Sequence, residues 1–199
     1  MSVSATDHPT LAGWLLRDVI LTATIAGSLW GLHLWHSGSG SLLSAVPAAV
    51  LGFIGAYVLC YVFHEWGHLI GARLSGADMP LLPYRGALIG LFDPRTQSRK
   101  QFLWLSCGGV IGYLLTAVST LLVHFSGSLG LAGAGFAVGG LAFVVQSLSV
   151  DLPQIFKVMD GADIAETNRT GAHPRVILKR TWQSWSILTV ALIAWYLMA

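Results

Sequence analysis

The sequence predicts an all-α integral membrane protein, one domain over residues 1–199, with about five transmembrane helices. Three observations carry this. Of the 199 residues, 54% are hydrophobic and only 10% are charged, whereas ordinary soluble domains carry about 25% charged residues. Apolar runs of roughly 20 residues, the length that crosses a bilayer as a helix, recur along the chain. The eleven Lys and Arg residues avoid those runs and cluster in alternate connections. The formal net charge of +2 is too small to suggest nucleic-acid binding, so the lipid bilayer is the expected surroundings and nucleic acid is not an expected partner.

Taken in order, the first span runs from about Leu15 to Trp35 and the second from about Leu42 to Ala72. The second is longer than a span needs, so it protrudes or tilts. The third covers about Phe102 to Phe125, the fourth about Leu129 to Val150, and the fifth about Trp182 to Met198. Arg17 precedes the first span. Arg73, Arg85, Arg95, Arg99 and Lys100 separate the second and third, and Lys157, Arg169, Arg175, Lys179 and Arg180 separate the fourth and fifth. The opposite loops, near His36–Ser41 and Ser126–Ser128, hold no Lys or Arg. By the positive-inside rule, the N-terminus and both long loops are cytoplasmic and the C-terminus is outside. Met1 to Trp14 lacks the basic and apolar regions of a cleaved signal peptide. Cys60 and Cys107 read as small apolar packing residues, not as a disulfide pair or a CxxC metal motif.

Glycines four apart, at 27/31, 67/71, 108/112 and 135/139, favour close helix approach in lipid. Trp14, Trp30, Trp35, Trp104, Trp182 and Trp185 fall near span ends, as interfacial anchors do; Trp66 does not. Between the second and third spans, Met79 to Phe92 is apolar but punctuated by proline and glycine. It is too broken for a spanning helix and reads as a short hairpin or re-entrant segment beside the site. Asp93-Pro94 ends it, and Arg95 to Lys100 form a basic membrane-proximal turn.

The chemistry concentrates in the second span, in His64-Glu65-Trp66-Gly67-His68. Helical residues four apart share a face, so His64 and His68 converge on one metal ion. Glu65 stands one residue round, placed to handle a metal-activated water. It is the sole Asp, Glu, Lys or Arg between Asp18 and Arg73. A carboxylate deep in an apolar run is costly and marks a functional site.

Catalytic zinc usually takes three protein ligands. His33, His36 and His124 fall near the outer face, at the wrong depth. Asp151 follows the fourth, inward-running span at the right depth, and Pro153 should break or kink the helix there. Asp160, in Met159-Asp160-Gly161, is the alternative third ligand, and it requires the chain to re-enter the membrane. Asp163 and Glu166 read as solvated.

With these pieces in place, the sequence resembles the site-2 protease family of intramembrane zinc metalloproteases, in a compact form without a PDZ domain. The likeness rests on Phe63 to Arg73, the proline-rich apolar loop, the glycine-rich third span, and Asp151 or Asp160 beyond it; it covers residues 45–165. It implies zinc, a three-helix metalloprotease core, peptide-bond hydrolysis in or near the membrane, and a loop hairpin that holds an extended substrate by strand addition. The stretch matching the family's third core span, Gly108-Gly109-Val110-Ile111-Gly112, has Gly112 where the family carries Asn. The family's Asn-x-x-Pro…Asp-Gly signature survives in parts, as Asp151-Leu152-Pro153 and Asp160-Gly161.

The expected function is therefore hydrolysis of membrane-embedded substrates by a zinc-activated water. His64, His68 and an Asp hold the ion, and Glu65 moves the proton. Helical substrates have satisfied backbones, so the cleaved segment must be locally unwound. The rival is a non-proteolytic zinc-binding membrane scaffold or regulator. A transporter fits less well, because the five spans show no internal repeat.

Overall fold

A computed structural model of the chain describes residues 9–84, 88–171, 175–176, 178–183 and 185–186. Four helices long and apolar enough to cross a membrane stand among them: α1 Leu11–Ser39, α2 Leu42–Leu74, α3 Arg99–Phe125 and α4 Gly130–Met159. A short α5, Ile164–Gly171, follows. The fifth expected span, 182–198, falls outside the described residues except at 182–183 and 185–186. Arg85 lies outside them too.

Local chemistry sets the helix ends. Thr10 caps α1, its hydroxyl accepting from the Gly13 amide at 3.1 Å, and Gly40 closes that helix in the left-handed conformation at φ 59°. Ser41 caps α2. Ser98 and Gln101 form a reciprocal capping box at the start of α3. At 33 residues α2 is about 50 Å long, well beyond the roughly 30 Å of bilayer hydrocarbon.

Helices α2, α3 and α4 pack mutually as a three-helix bundle, and α1 lies mainly against α2. Glycine decides the α2–α3 contact. A Cβ on Gly67 would stand 2.1 Å from the Gly108 carbonyl oxygen, one on Gly71 2.1 Å from that of Trp104, and one on Gly112 2.2 Å from that of Phe63. These pairings ascend on one helix as they descend on the other, so the two are antiparallel and nearly backbone to backbone. Gly135 meets Ala49 and Gly139 meets Phe53, an offset of 86 positions in both, so α2 and α4 run parallel in fixed register. Gly27 and Gly31 differ from the other glycine pairs: nothing lies within 4 Å of a Cβ on either among the described residues.

Three local expectations are corrected. Pro153 does not end α4, which runs on to Met159 and carries Asp151 inside the helix. The reason is substitution of a donor. Proline leaves the Ser149 carbonyl without its helical N–H, and Arg180 Nη1 donates to that oxygen instead. The Val150 carbonyl accepts from Gln154 Nε2 at 3.3 Å. Trp14 is not an interfacial anchor: it is fully buried, and its Nε1–H donates to the Leu82 carbonyl at 2.9 Å. Arg17 does not precede the first helix but lies within it, beside Asp18.

In the 75–98 connection the described arms, 79–84 and 88–92, pair antiparallel as a hairpin. Leu82 N–H donates to Ile89 O at 2.9 Å, Leu91 N–H to Pro80 O at 3.0 Å, and Leu81 and Gly90 form an antiparallel bridge. Its Met79 and Ile89 are buried in one cluster with Trp14, Leu69, Ala72 and Leu105, which fastens the hairpin to the α2 end that holds the histidines.

Candidate metal centre

His64 and His68 lie one helical turn apart in the last third of α2, with their Nε2 atoms 3.0 Å from each other. The partner of His68 sets its tautomer. Nδ1 stands 2.9 Å from the Leu105 carbonyl oxygen, and a carbonyl only accepts, so Nδ1 carries the proton and donates. The Nε2 lone pair of His68 is then left facing His64. A carbonyl behind a ligating imidazole is the usual outer partner of a metal-bound histidine. Two nitrogens on one tetrahedral ion, at about 2.0–2.1 Å from it, stand about 3.3 Å apart, close to the spacing here.

Helix α3 makes room for this ring. A Cβ on Gly109 would lie 2.4 Å from His68 Cε1, so only glycine leaves the imidazole its place. Glu65, 5% exposed, turns its carboxylate toward the Tyr61 hydroxyl and the Ile89 backbone amide of the hairpin. The ligand atoms of His64, Glu65 and His68 all lie within 4.8 Å of one another, a group able to hold a metal ion.

Asp151 reaches the same level from α4. The α2–α4 contacts, Gly52 on Ala132 and Gly135 on Ala49, put the level of Glu65 at residues 145–151 of α4, and the Asp151 and Glu65 carboxylates interact electrostatically. The Asp151 carboxylate stands outside the 4.8 Å group itself. Asp160 is exposed at the C-cap of α4, nine residues or about 13 Å farther along the axis. Asp163 caps α5, accepting from the Glu166 amide at 2.8 Å, and Glu166 pairs with Arg169 at 2.7 Å.

His33, His36 and His124 are gathered at the other end of the bundle. His36 Nδ1 meets Ser44 Oγ at 3.0 Å, and His33 lies against Trp30 with ring centroids 5.7 Å apart. Ser44 and His64 are 20 residues apart on α2, about 30 Å. His124 sits in the last turn of α3, at that same end.

Two features escaped the sequence reading. The first is Asp18, 4% exposed, whose Oδ2 accepts from Trp66 Nε1 at 2.7 Å and whose Oδ1 pairs with Arg17 at 2.6 Å. This bond ties α1 to the residue next to Glu65 and explains the indole inside the motif. The second is Tyr113, completely buried on α3 with its ring 5.5 Å from that of His64. It stands one turn beyond Gly109, so α3 presents both to the histidine face.

Among the described residues, three buried side-chain polar atoms have no hydrogen-bond partner: His64 Nδ1, Tyr113 Oη and Asp151 Oδ2. One comes from each helix of the bundle. Buried polar atoms are almost always satisfied, so their clustering marks a place built to receive something polar. The donor set of two imidazoles and nearby carboxylates fits a divalent ion such as zinc. An apolar hollow of about 680 Å³ lies beside this place: Phe63, Trp66, Ile70, Trp104, Cys107 and Ile111 line it, and none of the histidines or Asp151 does.

Comparison with protein-family models, with curated proteins and with solved structures returns no match for this chain.

Proposed function

We propose that this chain is an intramembrane zinc metalloprotease that cleaves membrane-embedded substrates. The observation that carries the reading is the pair of facing Nε2 atoms, 3.0 Å apart with the His68 tautomer set by Leu105, beside a buried Glu65. His64 and His68 hold the ion, with Asp151 as third ligand in preference to Asp160, because the α2–α4 register sets Asp151 level with Glu65. Zinc, when bound there, supplies Lewis acidity toward a carbonyl and makes water more acidic.

Glu65 does the proton work. As the water oxygen bonds to the scissile carbonyl carbon, Glu65 accepts the water's proton, then gives it to the amide nitrogen as the C–N bond breaks. The products are a carboxylic acid and an amine. The 80–91 hairpin lies next to Glu65 and offers backbone groups to an extended, locally unwound substrate. The basic residues put this end of α2 on the cytoplasmic side of the membrane.

The deciding experiment is cleavage of single-span substrates carrying Gly or Pro, in vesicles, by the wild type and by Glu65→Gln. The substitution should keep zinc and abolish cleavage; cleavage retained by the variant overturns the assignment.

One observation favours a second reading, a non-proteolytic zinc-binding scaffold or regulator. The Gly112 position, where the resembled family carries Asn, has a Cβ site only 2.2 Å from the Phe63 carbonyl oxygen, so no larger residue fits this packing. On that reading the wild type binds zinc and cleaves nothing.

A further inference from the structure

We propose that the Tyr113 hydroxyl is a catalytic hydrogen-bond donor to the carbonyl oxygen of the bond being cleaved; this rests on the protease reading above. Tyr113 is 0% exposed, its ring lies 5.5 Å from that of His64 and 5.9 Å from that of Phe143, and its hydroxyl has no hydrogen-bond partner among the described residues. Phenylalanine would fill the same volume without burying an unpaired hydroxyl, so the oxygen needs a reason of its own.

The surroundings supply one. The neighbouring charged group is Asp151, which interacts electrostatically with Tyr113, yet neither Tyr113 Oη nor Asp151 Oδ2 has a hydrogen-bond partner. The hydroxyl therefore does not serve to hold Asp151. Attack by water moves an electron pair onto the substrate's carbonyl oxygen. Beside Glu65 and Asp151 that added negative charge needs a donor. The N–H of His68 Nδ1 is committed to Leu105, and the Tyr61 hydroxyl faces Glu65. Among the described residues, two buried donors at the site lack a partner: His64 Nδ1, on a ring given to the metal, and the Tyr113 hydroxyl, which faces that ring from the third wall, α3. It keeps its proton throughout and only strengthens its hydrogen bond as charge develops, which is how preorganised donors lower a barrier.

The test is Tyr113→Phe in the full chain, reconstituted in vesicles beside the wild type and Glu65→Gln. Four quantities are read: kcat, KM, zinc per chain, and affinity for a phosphinic peptide built on the cleaved sequence against affinity for the uncleaved peptide. The expected result is a kcat lower by roughly 10²–10³, the scale of losing one such donor, with KM and zinc unchanged. The phosphinic peptide, which mimics the tetrahedral geometry, should lose affinity while the uncleaved peptide does not. Unchanged kcat in the variant beside an active wild type overturns the inference alone. Loss of zinc, a failed fold, or equal weakening of both peptides would make the hydroxyl structural and also overturn it. A wild type that cleaves nothing removes the protease reading, and the inference with it.

Discussion

At the scale of the residue, the centre depends on contacts between small atoms. Gly109 is the sharpest case: a single methyl there would lie 2.4 Å from the His68 ring. Gly109→Ala should therefore displace His68 from its bond to Leu105 and weaken zinc binding by about 10–100-fold, the usual effect of losing an outer partner of a ligand. Competition with a chromophoric chelator measures this, and an affinity equal to wild type would refute it. The third ligand is tested in the same way. Asp151→Ala should lose zinc, whereas Asp160→Ala, exposed and about 13 Å along the helix, should keep it. The opposite result would move the site toward the end of α4. The HExxH spacing made His64, Glu65 and His68 legible from the sequence. Gly109, Tyr113 and Asp18 were not, because each acts on a side chain from another helix, and spacing along one helix says nothing of its neighbour's register.

At the scale of the element, α4 shows how a helix outlasts its proline. Pro153 removes the donor for the Ser149 carbonyl, and Arg180 supplies another. Arg180→Ala should thus destabilise the protein by about 1.5–3 kcal/mol, the usual worth of a hydrogen bond made by a charged group. In the Pro153→Ala background the same substitution should cost much less, because alanine restores the helical N–H. Thermal unfolding in detergent gives the double-mutant cycle; equal losses in both backgrounds would separate Arg180 from the proline. The sequence showed the apolar run but placed its end at the proline. The compensating donor lies some thirty residues downstream, beyond the reach of any local rule. The Met79–Phe92 hairpin was legible for the converse reason: its prolines and glycines exclude a spanning helix locally.

At the scale of the whole molecule, charge and packing divide the bundle into two ends. One holds the histidine pair, Glu65, Asp151 and the hairpin; the other holds His33, His36, His124 and the short loops. The positive-inside pattern predicts that the first end faces the cytoplasm. Single cysteines at Ser75 and Gln97, in a background free of Cys60 and Cys107, should react with impermeant reagents only from the cytoplasmic side. Cysteines at Ser39 and Ser126 should react only from outside. Equal labelling of both pairs from one side would refute the arrangement.

The sequence by itself determined the four helices long and apolar enough to cross a membrane, the shared face of His64 and His68, and their distance along the chain from His33, His36 and His124. Those properties follow from hydrophobicity, charge and spacing along one helix, all local quantities. Tertiary structure alone decided which glycines are contacts: a Cβ on Gly67, Gly71 or Gly112 would meet backbone, while one on Gly27 or Gly31 would meet nothing within 4 Å among the described residues. It also set Asp151 level with Glu65, joined Asp18 to Trp66 and left Tyr113 unpaired beside His64. The physical reason is register. A helix fixes the rise and rotation of its own residues, but the offset between two helices comes from how their surfaces interlock, and here glycine-to-carbonyl contacts set that offset.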